Sequence, residues 1–156
     1  MAEDKKTLAK KVYQTVCSAL EERNWTYKKD EEKLAVFFGV TGEDLPMDIV
    51  MSVDEDRQLL RIFSPMPYNI PEDKRIDLAV AVCHATFGMA DGGFDYDIAK
   101  GSIHFRAAAA FHGSDIGTGL VQYLISLTCA MVDKYNDQLL MVSKGTLSLQ
   151  DFLSLE

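Results

Sequence analysis

The sequence predicts an α+β fold, an antiparallel five-stranded sheet with helices in the order α-β-β-β-α-β-β-α. Three observations predict it. Over 5–23 and over 116–139 apolar residues recur every three or four positions, the period of an amphipathic helix. Over 47–53 and 94–106 the period falls to two, that of strands with one buried face. The links within the strand-rich parts are short and polar, as hairpins require. The 156 residues suit one domain that buries roughly 70% of its unfolded surface. We read a body over 5–145 and a short C-terminal tail helix over 146–156.

Taken in order, Leu8, Val12, Val16 and Leu20 form the stripe of the first helix, widened by Tyr13 and Cys17, with lysines and glutamates opposite. Trp25 and Tyr27 lead into a charged turn over 28–33. The run 34–40, almost wholly apolar with Phe37 and Phe38, is the first strand. Met47, Ile49, Met51 and Val53 alternate with Asp48 and Ser52, and 59–63 comes next as the third strand. Pro65 and Pro67 exclude a helix or central strand over 64–70. Pro71 is tolerated as a first helical residue, and Glu72 and Asp73 favour the positive end of the helix dipole. That middle helix runs to Phe87, because Gly88, Gly92 and Gly93 interrupt the chain beyond it.

The next hairpin has a definable register. A four-residue loop over 98–101 pairs Phe94 with Phe105 and Tyr96 with Ile103, and sets Asp95 opposite His104 and Asp97 opposite Ser102. A three-residue loop would mix polar and apolar residues on one face. One face is therefore core and the other polar, as in an antiparallel sheet with one open side. Ser114 or Asp115 caps the final helix, with Ile116, Leu120, Leu124, Leu127, Met131, Tyr135 and Leu139 down one side and Gly145 at its end. In the tail, Ser148 and Asp151 have capping-box spacing, and Leu149, Phe152 and Leu153 are positioned to dock on the body.

The middle helix carries two apolar stripes. Ile76, Val80, Cys83 and Phe87 form one, expected in the core with Cys83 as a buried thiol and His84 partly covered beside it. Leu78 and Val82 project from nearly the opposite side. A surface helix with one buried face needs only one stripe, so either the helix is covered on two sides within the monomer or Leu78 and Val82 meet a second subunit; the second is expected, symmetric dimers being the commonest oligomers.

Composition bounds the function. With 47% apolar and 26% charged residues the chain is near the globular average. Its 24 acidic against 16 basic residues, a net charge of −8, argue against nucleic acid or anionic membrane as partner. Three cysteines form no disulfide framework and suit a reducing, intracellular compartment. No leader-like apolar segment succeeds the early lysines, and no run reaches the ~18–20 clean apolar residues of a membrane span. A cytoplasmic protein is expected.

Two stretches resemble a known family, the YbjN-like bacterial proteins, labelled as sensory transduction regulators and sharing the type III secretion chaperone-like fold. One is Ile70-Pro71-Glu72-Asp73-Lys74-Arg75, the family's entry to the middle helix; the other is Gly93-Phe94-Asp95-Tyr96-Asp97 with Gly101-Ser102-Ile103-His104-Phe105-Arg106, its aromatic hairpin. His84 stands where the family usually has asparagine. The resemblance implies a small non-enzymatic module, suited to homodimers and extended peptides, that recognises another protein.

No residue set specifies a reaction. Ser102, His104 and Asp95 imitate a Ser-His-Asp triad on paper, yet neighbours two apart on a strand are about 7 Å apart and a nucleophile must reach its base within about 3 Å. A solvent-facing ion pair among Asp95, His104 and Arg106 explains the same residues. Cys83 and His84 diverge by about 100° on their helix. His84, His104 and His112 lack zinc-ligand spacing. The acidic clusters at 30–32 and 54–56 lack the glycine and distal glutamate of a calcium loop. The glycines at 113, 117 and 119 lack a phosphate-loop lysine, and the lysines of the first helix have no aromatic platform for RNA beyond Tyr13. No cofactor or metal is expected. The expected function is a homodimeric protein-interaction module for an unidentified protein partner, contacting it through Leu78, Val82, Asp95, His104 and Arg106. The alternative is a small-molecule binder or minor hydrolase using Tyr96, His104, Arg106 and Tyr123 in a cleft between sheet and helices.

Overall fold

A computed structural model describes residues 4–155. The Asp4 carboxylate caps α1 (Lys5–Glu22), accepting the Thr7 N–H at 2.8 Å. An antiparallel meander comes next, β1 (Lys28–Asp30), β2 (Ala35–Thr41), β3 (Pro46–Asp54) and β4 (Leu59–Pro65). A 3₁₀ turn (Glu72–Lys74) opens α2 (Arg75–Phe87), and Pro71 precedes that turn rather than beginning the α-helix. After α2 the chain forms the hairpin β5 (Gly93–Asp97) and β6 (Ser102–Ala110), then α3 (Thr118–Lys144) and α4 (Leu149–Ser154). The sheet order is β1-β2-β3-β4-β6-β5. α3 lies on β4 and β6 with α1 on one flank and α2 on the other, so all three cover the same face of the sheet.

The sheet has six strands, not five, because β1 occupies the start of the stretch read as a charged turn. A turn chemistry shared by three hairpins accounts for it. Asp30, Asp54 and Asp97 each accept the backbone N–H three residues on, from Lys33, Arg57 and Lys100, at 3.1, 2.9 and 3.2 Å. The next residue in each, Leu34, Gln58 or Gly101, turns the chain with a left-handed φ of 51°, 54° or 71°. The aspartate closes the turn and the left-handed residue aims the returning strand. At Gly101 a Cβ would also collide with the Ile70 carbonyl. The acids of these turns are structural.

The β5–β6 register is the expected one, Phe94 with Phe105, Tyr96 with Ile103, Asp95 with His104 and Asp97 with Ser102. Alternation carries through the sheet. Val36, Phe38, Ile49, Met51, Leu60, Ile62, Ile103 and Phe105 face the helices and are buried. Phe37, Val50, Arg61, Phe63, His104 and Arg106, from the intervening positions, face away.

Two helices depart from expectation. α3 begins at Gly117 with no side-chain cap, not at Ser114 or Asp115. The chain first turns around Gln58, whose carbonyl and side chain take the N–H groups of Phe111 and Gly113. The buried positions of α3 are Val121, Leu124, Ile125, Thr128, Val132, Asn136, Leu139, Val142 and Ser143, while Ile116, Leu120, Leu127, Met131 and Tyr135 are half-buried. A helix with neighbours on three sides buries a wide arc, centred here between the residues that touch the sheet.

α2 is inverted relative to expectation. Leu78, Ala81, Val82 and Ala85 are its buried residues. Ile76, Val80, Cys83 and Phe87 are exposed, and His84 is exposed with them. The buried stripe alternates large residues with alanines, which lets α2 approach α3 and β5 closely. Gly145, left-handed at φ 77°, ends α3 as expected. The Ser148 Oγ then caps α4 by accepting the Asp151 N–H at 3.0 Å, and Phe152 is buried edge-on to His84. Leu149 is half-buried and Leu153 exposed. The last tail residue, Glu156, lies outside the described residues.

Candidate functional site

Two surfaces are left without a partner among the described residues. The first is the open face of the sheet. One cross-strand row runs Lys28, Phe37, Val50, Phe63, Arg106, each residue in register with the next. Five strands at about 4.8 Å spacing make it roughly 19 Å long. Its middle is apolar; Lys28 stands at one end and Arg106, paired with Asp95, at the other. Phe37 is 41% exposed. The Arg61 guanidinium stands 5.8 Å over the Phe63 ring, and His104 meets that ring edge-on at 5.5 Å. At the β1 end a groove of about 520 Å³ opens, lined by Tyr27, Lys28, Phe37, Asp48, Val50 and Pro65.

The polar corner of this face is a closed set of charges. Asp95 accepts Arg106 Nε at 2.6 Å and Nη2 at 3.1 Å, and His104 Nε2 lies 3.0 Å from the same carboxylate. The hydrogen bonds from Arg106 hold the Asp95 carboxyl below the ordinary carboxylate range. Ser102 stands opposite Asp97 and makes no hydrogen bond to His104. The corner is an ion-pair cluster, with no nucleophile set against a base. No group of three His, Cys, Asp or Glu residues among the described residues could hold a metal ion.

The residues of the small-molecule alternative are not brought together. Tyr96 faces the helices and donates its hydroxyl to the Arg75 carbonyl at 2.9 Å. His104 and Arg106 are on the opposite face of the sheet. Tyr123, on α3, bonds Asp91 in the loop before β5. Among the described residues these four lie on different faces of the molecule.

The second surface is the outer side of α2. Phe87 is 91%, Ile76 70% and Val80 43% exposed. They line a shallow groove of about 510 Å³ with Cys83, His84 and Leu153 of α4. Leu78 and Val82, expected to project from the molecule, are 0% and 6% exposed and belong to the core instead. The outward stripe thus exists, in the opposite phase. Phe37 was legible as an outward residue, since adjacent strand residues must face opposite sides and Phe38 takes the inner one.

The sequence matches no protein-family model and no curated protein. Solved structures do match. A chain of the ExsC–ExsE complex aligns with a TM-score of 0.61 at 12% identity, covering 88% of this chain and 97% of that one. YbjN from E. coli, a candidate transcription regulator, aligns at 0.58 and 7%, covering 81% and 92%. A chain of the HopA1–SchA chaperone–effector complex aligns at 0.56 and 10%, covering 82% and 96%. The fold is the YbjN-like, type III secretion chaperone-like one that the two motifs imply.

Proposed function

We propose that this protein is a non-enzymatic, cytoplasmic protein-interaction module that pairs with itself through the outer side of α2 and takes a protein partner on the open sheet face. The observation that carries this is the stripe Ile76, Val80, Cys83, Phe87. Four apolar or thiol side chains in line on one helix, with Val80 43% and Phe87 91% exposed, are left open by the described residues, and contiguous apolar surface of this kind marks interaction sites. The similar ExsC–ExsE and HopA1–SchA structures are protein–protein complexes, the latter of a chaperone with its effector, which supports a role in holding another protein. The apolar middle and polar ends of the Lys28–Arg106 row suit an amphipathic segment lying across the strands. The ion-pair cluster around Asp95, His104 and Arg106 borders that row as a polar rim. On the expected site, Asp95, His104 and Arg106 are kept, and the Ile76–Phe87 stripe takes the place of Leu78 and Val82.

Light scattering on the full chain at micromolar concentration tests the pairing. The expected mass is twice the 17.4 kDa of one chain, falling to one chain in Ile76→Glu/Phe87→Glu with an unchanged circular dichroism spectrum. A wild-type mass of one chain at every concentration refutes it. For the sheet face, Phe37→Glu and Phe63→Glu should stay paired yet lose a protein that the wild type retains. Retention of the same protein by both variants refutes that part.

A further inference from the structure

We propose that the C-terminal helix α4 is a working part of the self-pairing surface, so that a second copy of this chain packs on α4 and α2 together; this rests on the pairing proposed above. Phe152, 2% exposed and edge-on to His84 at 6.0 Å, pins α4 beside the outer side of α2. The Ser148 cap sets where the helix starts, and Leu153 thereby joins Ile76, Ala79, Val80 and Cys83 in one wall. No Lys, Arg, Asp or Glu lines that groove.

The spacing selects the occupant. The stripe 76–80–83–87 steps by four, three and four, a sequence of steps that reads the same in both directions. A copy related by a two-fold axis, with its α2 antiparallel, therefore presents the matching pattern. Ile76 of one copy meets Phe87 of the other, and Val80 meets Cys83. Charge agrees, because two chains of net charge −8 repel and this wall brings no carboxylate of its own to the contact. Area shows why α4 is needed. One helix stripe is a patch of the kind found on many monomers, on the order of a few hundred Å², whereas a stable interface takes roughly 800 Å² from each partner. Leu153, 36% exposed, and the flank of α4 extend the patch toward that area.

The test is sedimentation equilibrium of the full chain carrying Leu153→Glu, which leaves Phe152 and the Ser148 cap in place. Ile76→Glu serves as the α2 reference, and Gln14→Glu, exposed on α1, as the control for added charge. Leu153→Glu is expected to raise the dimer dissociation constant at least tenfold with an unchanged circular dichroism spectrum, and Gln14→Glu to leave it within twofold. If Ile76→Glu dissociates the dimer and Leu153→Glu stays within twofold of wild type, the role of α4 is overturned and the pairing through α2 stands. If the wild type is monomeric throughout, both fall.

Discussion

α2 carries two apolar stripes half a turn apart, with opposite fates. Leu78, Ala81, Val82 and Ala85 are buried against α3 and β5; Ile76, Val80, Cys83 and Phe87 stand in solvent. The outer stripe has the bulkier side chains and, on hydrophobicity alone, would be chosen for the core. The difference teaches that closeness of approach decides. Alanines at 81 and 85 let the helix axis come near its neighbours, and Leu78 and Val82 then fill the gaps between. A stripe with a phenylalanine and an isoleucine at its ends suits a surface that meets something shaped to receive it.

The largest expected effect sharpens the buried side. Leu78→Ala should lose about 2–5 kcal/mol of unfolding free energy by urea denaturation, through lost transfer energy plus a cavity; a loss under about 1 kcal/mol would remove Leu78 from the core. Ala81→Leu should cost about 1–3 kcal/mol by overpacking. Ala79→Leu, on the groove side, should change stability by no more than about 0.5 kcal/mol, and an equal cost at both positions would break the contrast. Phe87→Ser, measured by denaturation where the protein is monomeric, should likewise stay within about 0.5 kcal/mol, because that ring is 91% exposed.

A small effect is also expected on the open sheet face. Arg106 depresses the Asp95 carboxyl in the folded state, so the pair stabilises above the unfolded carboxylate pKa, and this is lost as pH falls through the lower folded one. Both partners are more than a third exposed, so solvent screening keeps the contribution below about 1 kcal/mol. Monitoring the Asp95 carboxyl carbon by NMR, Arg106→Leu should raise its midpoint. An unmoved midpoint would mean that Arg106 is not the cause.

The same physics decides how much was legible. The β5–β6 register could be read because alternation allows one pairing without mixed faces. The tail cap could be read because Ser148 and Asp151 are local. β1 was hidden by its charges, although Asp30, Lys33 and Leu34 repeat the turn of Asp54, Arg57 and Gln58 and of Asp97, Lys100 and Gly101. The phase of α2 is not legible from periodicity, since both stripes satisfy it, and the alanine pair is the signal that separates them. The arc buried on α3 depends on neighbours at both flanks, which no window along the chain contains. Of the candidate site, the Asp95, His104 and Arg106 cluster could be deduced from register alone, whereas the Phe37, Val50, Phe63 row needs the alignment of three strands.

Cys83 reports most directly on the central claim, being exposed in the middle of the outer stripe, while Cys17 is buried and Cys129 only partly open. The rate of maleimide labelling at Cys83 can be tracked as protein concentration is raised, with Cys129 as the internal reference. If the outer stripe of α2 is the self-pairing surface, labelling of Cys83 slows with concentration and Ile76→Glu abolishes the slowing. A Cys83 rate that stays constant relative to Cys129 across the whole range would contradict the account.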